Sequence, residues 1–262
     1  MISVIIPSYR NPICLDICLE SALRAQEGNN QIICILDGYP EESSDIIEKY
    51  KNDVNFLPLP ENKGMQYALN MGVYNSDNDR ILIVNDDNVF PSGWDTILNQ
   101  DYNEDYILTP NQIEKTKSLF NFEINDFGTP DDFDLANFFI EEIHHRKNEI
   151  TNDGGIFPFL ISKKKYMMVG GFDTLYPSPF ICDWDFFLKC ELAGLKTFRS
   201  RKLCFYHFGS VSTKNGKEGQ RFKQSEAEAF ELYRYKWGIE MVLNTDNSHS
   251  PKGKIVKGIK YE

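Results

Sequence analysis

Ile2-Ser3-Val4-Ile5-Ile6 is a short, mainly apolar and β-branched run that stops at Pro7, which predicts a buried first strand. Asn11-Pro12 supplies a helix cap and a proline suited to the first helical position, and Leu15, Cys18, Leu19, Ala22 and Leu23 then recur at helical spacing. That helix should reach about Glu27, where Gly28-Asn29-Asn30 ends it. Gln31 to Leu36 reads as a second buried strand terminating at Asp37-Gly38. Residues 41–51 read as a helix, with a short extended segment near Val54-Phe56. Asn62-Lys63-Gly64 opens a third helix with Met65, Ala68, Leu69 and Gly72 on one face, and Arg80 to Val84 is the next strand. This alternation predicts an α/β fold with a parallel sheet and right-handed crossovers.

The second half is less periodic. Residues 132–147 fit a helix, acidic early and basic late, with His144 and His145 as solvated end residues. Gly170-Gly171-Phe172-Asp173 is a turn, Asp183-Trp184-Asp185 begins a helix with Phe186, Phe187 and Cys190 facing inward, and Gly194 caps its end. Residues 222–237 form a last helix with Phe230, Tyr233 and Trp237 on one side, and the tail from Asn244, with Lys252, Lys254, Lys257 and Lys260, reads as polar and solvated.

Composition narrows the chemistry. The net charge of −11, from 39 acidic and 28 basic residues, argues against nonspecific nucleic-acid binding. It also favours a divalent cation wherever such a chain is to hold a diphosphate. The six cysteines make no CxxC pair and read as buried thiols of a reducing compartment. No apolar run approaches the ~20 residues of a membrane span, so the chain reads as cytoplasmic, with peripheral membrane attachment through the lysine-bearing tail as the alternative. Pro7-Ser8-Tyr9-Arg10 lacks the glycine-rich turn of a nicotinamide enzyme or a sugar-nucleotide pyrophosphorylase.

In a parallel sheet, ligands bind beyond the carboxyl ends of the strands. Three polar clusters fall there: Pro7-Ser8-Tyr9, Asp37-Gly38 and Asn85-Asp86-Asp87. Carboxylates at such an end suit Mg2+ or Mn2+, with an Asx-rich turn as the competing reading. If extension continues, Asn85 and Asp87 share a face and Asp86 is turned away. Tyr9 is placed to stack on a base or to serve as a turn residue, and Asp37 to accept from a base or to cap a turn.

Ser3-Val4-Ile5-Ile6-Pro7-Ser8-Tyr9, Asp37-Gly38, Asn62-Lys63-Gly64 and Asn85-Asp86-Asp87 resemble the donor half of family 2 glycosyltransferases. Gly170-Gly171-Phe172-Asp173, Asp183-Trp184-Asp185, Gly194 and Lys236-Trp237-Gly238 resemble that family's acceptor half and C-terminal pattern. The resemblance implies a GT-A fold: a Rossmann-like, mostly parallel sheet flanked by helices, in a single domain over residues 1–240 with a C-terminal helical extension. Residues 1–100 would be its donor half, 101–215 its acceptor half, 216–240 the C-terminal helix and 241–262 a polar tail.

It further implies an inverting transfer from a nucleotide diphosphate sugar, UDP favoured and TDP or GDP as alternatives, to a hydroxyl of a saccharide or glycoconjugate, assisted by Mn2+ or Mg2+. Pro7, Tyr9, Asp37, Asn85 and Asp86 would bind donor nucleotide, with Asp87 on the metal. Asp183 would be the general base, or else the N-cap of its helix. Asp185, Trp184 and Gly155 would serve the acceptor or its support, and His207 would ligate metal or be a core residue. Ser210, Ser212 and Lys214 would help close a loop over phosphate.

Three departures stand out: Asn85 opens the triplet instead of aspartate, Leu69 stands where many relatives carry arginine, and Cys182 replaces the glutamate that commonly precedes the base. Asn85 and Cys182 keep alive a second reading, a noncatalytic nucleotide-sugar or glycan binder on the same fold.

Overall fold

Every residue from Ile2 to Ser8 is buried, because the strand they form lies inside a sheet covered on both faces. In the computed structural model, which describes residues 1–116, 123–209, 216–240 and 254–255, the strands are β1 (Ile2–Ser8), β2 (Gln31–Asp37), β3 (Asn55–Leu59), β4 (Arg80–Ile83), β5 (Asn88–Val89) and β6 (Tyr106–Glu114). They continue with β7 (Glu123–Ile124), β8 (Ile150–Thr151), β9 (Phe159–Ser162), β10 (Lys196–His207), β11 (Ile239–Glu240) and β12 (Lys254–Ile255). The helices are α1 (Pro12–Ala25), α2 (Ser44–Tyr50), α3 (Met65–Tyr74), α4 (Trp94–Asp101), α5 (Leu135–Glu141), α6 (Lys163–Met168), α7 (Cys182–Leu192) and α8 (Gly216–Trp237).

The main sheet runs β3-β2-β1-β4-β9-β6-β10-β5, with β7 beside β6 and β8 beside β10. β1 pairs in parallel with both β2 and β4, and β2 with β3. β9 enters antiparallel between β4 and β6, and β6 pairs in parallel with β10. The carboxyl ends of β1, β2, β4, β6 and β10 therefore share one edge. The chain reverses its direction of travel across the sheet at β1, so a crevice opens between β1 and β4, the switch point where ligands settle in such folds.

Alternation sorts the core into two layers. Val4, Ile6, Cys34 and Leu82 face α1 and α4 (Leu15, Leu19, Trp94, Leu98), whereas Ile5, Ile33, Ile35 and Ile83 face α3 and α7 (Ala68, Leu69, Phe186). Each fully buried Ile or Leu contributes roughly 1.5–3 kcal/mol, so both layers are needed to fix the register of β1.

The predicted helices of the first half are present, with 41–51 divided into a 3-10 turn (Pro40–Ser43) and α2. The helix expected over 132–147 is shorter: α5 covers Leu135–Glu141 and a 3-10 turn covers Glu142–His145. Gly194 follows the last helical residues of α7 with φ +82, as a C-terminal glycine should. The tail read as polar and solvated contributes β12, paired antiparallel with β11; its other residues, and the loop candidates Ser210, Ser212 and Lys214, lie outside the described residues. No helix among the described residues is long and apolar enough to cross a membrane.

Candidate active site

The Asn85-Asp86-Asp87 triplet does not continue β4. The Asn88 amide donates to the Asn85 carbonyl (3.2 Å), and the chain turns before pairing again as β5. The three side chains are thus distributed by a turn rather than by strand alternation. Asp86 is buried against the connection from β1 to α1, where it accepts from the Ser8 hydroxyl (2.7 Å) and the Asn11 amide group (3.2 Å). Asn11 had been expected to cap α1. Its side chain makes no cap bond and ties Asp86 instead. Burial and the neighbouring Asp87 charge push the Asp86 carboxyl up to about 7. Asn85 is the partly exposed member of the triplet.

Asp87 meets His207. The short β5 pairs antiparallel with the end of β10, setting His207 opposite Asn88, and the Phe208 amide donates to the Asp87 carbonyl (3.1 Å). His207 Nε2 then lies 3.4 Å from Asp87 Oδ2, and Nδ1 lies 2.7 Å from Glu114 Oε1. Burial works against a charged ring, but Asp87 and Glu114 outweigh it and raise the imidazole to about 10. Sequence reasoning missed Glu114. Its signal was the same one that marked the triplet, a carboxylate at the end of a strand, hidden because β6 does not look like a strand by its apolar pattern.

Among the described residues no group of three or more His, Cys, Asp or Glu side chains is arranged to hold a metal ion. Two donors nevertheless fit one. Ligands of a hard divalent cation at ~2.1 Å stand about 3 Å apart when adjacent, close to the Asp87–His207 separation. A metal-binding imidazole also ordinarily gives its second nitrogen to a carboxylate, as His207 does to Glu114. Such a cation keeps several positions for water and phosphate oxygens, so two protein donors suffice.

At the neighbouring strand end, Asp37 is buried and both its oxygens are engaged: Oδ1 by the Lys63 amide (2.6 Å) and Oδ2 by the Gly64 amide (2.9 Å). The carboxylate thus fastens β2 to the start of α3. Gly38 beside it has φ +83, and a Cβ there would sit 2.7 Å from the Asn62 nitrogen. The Asp37-Gly38 and Asn62-Lys63-Gly64 motifs are one contact. Tyr9 sits against Tyr39 (centroids 6.1 Å apart), whose ring lies under the Arg10 guanidinium at 4.7 Å, and Arg10 pairs with Glu42. Pro7 and Ser8 are the last two residues of β1, both buried.

The acceptor-side motifs converge on α7. Asp183 lies in its first turn, not at the N-cap, which is Ile181. It accepts from the Trp184 amide (3.0 Å) and remains partly exposed, while burial of its carboxyl pushes it up to about 6. Asp185 has no exposure. It accepts from Tyr176 (3.1 Å) and from the Trp237 indole (2.8 Å), and pairs with Lys236. Asp183 is therefore the one of the two with an open face. Trp184 packs edge-on against Phe230 and Tyr233 of α8.

The loop before α7 is anchored to α3: Asn70 accepts from the Phe172 amide (2.9 Å) and donates to its carbonyl (2.8 Å), and Gln66 donates to the carbonyls of Tyr176 and Ser178. Gln66 and Asn70 were not singled out from the sequence. Gly154 lies against the Phe198 backbone, and Gly155, at φ +102, donates to Thr109 (3.0 Å), so this glycine pair serves packing on β10 and β6. Of the two histidines expected to be solvated, His144 is exposed, whereas His145 lies between Glu123 and Asn125.

A family model described as "Glycosyl transferase family 2" matches residues 3–166. This chain belongs to that family. The family 2 chain is 26% identical over 194 residues to an uncharacterized glycosyltransferase of Haemophilus influenzae, a match covering 72% of this chain and 61% of that protein. It is 28% identical over 152 residues to glycosyltransferase GlyG of Streptococcus pneumoniae, covering 56% of this chain and 50% of GlyG. It thus spans about half to three fifths of the length of these curated relatives.

Among solved structures, S. aureus TarS 1–349 superposes with a TM-score of 0.58 at 15% identity, over 89% of this chain and 72% of that one. The same protein in complex with UDP-GlcNAc gives a TM-score of 0.56 at 14% identity, over the same shares. At such identities the likeness concerns the fold, which is the mixed α/β, GT-A arrangement that the motifs had implied.

Proposed function

We propose that this family 2 chain transfers a sugar, with inversion, from a UDP-sugar to a hydroxyl of a saccharide or glycoconjugate, Asp183 acting as general base. The observation that carries the reading is the division of labour along one sheet edge. Asp87 and His207 stand together where β5 meets the end of β10, and the partly exposed Asp183 stands at the start of α7 with its proton affinity raised. The crystallised complexes of TarS with UDP and UDP-GlcNAc support the choice of donor.

Asp87 and His207 would hold Mn2+ or Mg2+, whose contribution when bound is to offset the charge developing on the leaving diphosphate. Glu114 orients His207, and Asp86 holds the β1 loop against the triplet. Tyr9 and Asn85 face the nucleotide, with Asp37 setting the loop beside them. Asp183 takes the acceptor hydroxyl's proton as that oxygen bonds to the anomeric carbon. The bond from that carbon to the diphosphate oxygen breaks, and the diphosphate leaves with the electron pair. A carboxyl near 6 is largely ionised at neutral pH yet basic enough to accept the proton, as a general base requires.

The test compares the parent with Asp87→Ala and Asp183→Ala, using UDP binding by calorimetry with and without Mn2+ and UDP release from UDP-GlcNAc. Asp87→Ala should lose Mn2+-dependent UDP binding, and Asp183→Ala should keep binding and lose release by 100-fold or more. UDP release at the parent rate in Asp183→Ala would overturn the base assignment. UDP that binds tightly to a parent lacking any turnover, with glycans included as acceptors, would favour the noncatalytic binder, the reading that Asn85 and Cys182 support.

A further inference from the structure

Two motifs remain without a role in this scheme: Asp173 of the glycine-rich turn and Lys236-Trp237 at the end of α8. They meet at the helix that bears the base. Lys236 Nζ lies 2.6 Å from Asp173 Oδ2 and 2.8 Å from Asp185 Oδ1, and its ammonium stands over the rings of Tyr176 (5.7 Å) and Trp237 (5.4 Å). Trp237 donates to the same Asp185 oxygen, and Lys189 approaches Asp185 Oδ2 at 3.6 Å while donating to the Gly171 carbonyl. Asp185 is wholly buried, so its charge requires these partners. One residue away, the Trp184 ring packs on Tyr233 and Phe230 of α8.

We infer that Lys236 is a positioning residue for the transfer: its two ion pairs latch α8 onto the first turn of α7 and thereby fix the orientation of Asp183. The inference rests on the proposed role of Asp183. Three observations carry it. Asp183 is flanked by Trp184 and Asp185, and both neighbours are held by α8. Ile181, which precedes this turn, has φ 70, a conformation a β-branched residue adopts only when its surroundings impose it. Asp173, the latch's other carboxylate, belongs to the loop that Asn70 and Gln66 bolt to α3. Neither ion pair of the latch involves a residue proposed to bind the nucleotide, so its loss should act on the chemical step and spare nucleotide binding.

The experiment uses the full chain with UDP-GlcNAc and Mn2+, reading UDP release with water as acceptor, in Lys236→Met, Lys236→Arg, Asp173→Asn and Asp183→Asn. Lys236→Met should lower kcat at least tenfold with UDP affinity unchanged, and Lys236→Arg should recover most of the rate. Amide hydrogen exchange should rise in Lys236→Met over Cys182–Asp185 and stay at the parent level over Asn85–Asn88. Parent kcat in Lys236→Met while Asp183→Asn is inactive would overturn the latch and leave the base standing. Parent activity in Asp183→Asn would instead remove the base on which the latch acts. A parallel fall of kcat and UDP affinity in Lys236→Met, or unchanged exchange over Cys182–Asp185, would also overturn it.

Discussion

Glu114 gives a prediction that isolates one bond. Its Oε1 lies 2.7 Å from His207 Nδ1, both side chains are largely buried, and the imidazole's other nitrogen faces Asp87. Glu114→Gln keeps the shape and an acceptor oxygen while removing the charge. A hydrogen bond involving an ionised partner contributes ~1.5–3 kcal/mol, against ~0.5–1.5 for a neutral pair. The difference between their midpoints, about 1.25 kcal/mol, is close to tenfold in an equilibrium constant. It falls at the lower end of the ~10–100-fold that outer carboxylates contribute to metal affinity. Calorimetric titration of UDP at fixed Mn2+, beside one without metal, should show about a tenfold loss confined to the metal-dependent part. Glu114→Ala should lose more. Parent Mn2+ dependence in both variants would refute the reasoning, because His207 would then need no orienting partner and would not be acting as a ligand.

The rate of UDP release should rise with pH up to about 6 and level off above it, because the protonated Asp183 carboxyl cannot accept a proton; a flat profile from pH 5 to 8 would contradict this. Asp95→Ala removes acceptors from the Glu27 and Gly28 amides and from Asn30, about 3 kcal/mol in all, and should lower Tm by roughly 6–12 °C in a melting experiment. Burial would raise that carboxyl, but the Glu27 and Gly28 amides outweigh it and hold it below the ordinary range. Its stabilisation is therefore complete above the unfolded pKa and is lost as pH falls through the folded one, so parent and variant should converge in acid. Gly38→Ala meets both the positive φ and the 2.7 Å approach to Asn62, and a left-handed alanine alone costs ~1–2 kcal/mol. It should displace Lys63 and Gly64 from Asp37 and weaken UDP binding about tenfold, read by thermal shift.

The first half of the fold was legible because β1, β2 and β4 are buried on both faces and so read as largely apolar runs. β6 was not, since Thr109, Asn111, Gln112 and Glu114 are polar yet buried, and periodicity equates polar with exposed. β9 escaped because nothing local announces an antiparallel strand slipped between β4 and β6. At the site, the triplet stood out by residue type at a strand end, and Asp183 by the family resemblance. Their contacts could not be read, because Asp86 meets Ser8 and Asn11, and His207 meets Asp87 and Glu114, across distant parts of the chain. Asn11 shows the limit most directly: a strong local cap signal gave way to a tertiary hydrogen bond.

The pairing of the two-residue β5 with the end of β10 joins positions such as Asn88 and Tyr206, 118 residues apart. Closing a loop of that length is entropically costly and slow, so such contacts form after local ones. During synthesis Asp87 emerges long before His207, so the cation site proposed above would have only half its protein donors until β10 has docked. On the proposed reading, capture of Mn2+ with UDP would mark the docking of β10, and refolding followed by that signal should lag behind refolding followed by burial of Trp94, which packs on α1 within the first hundred residues.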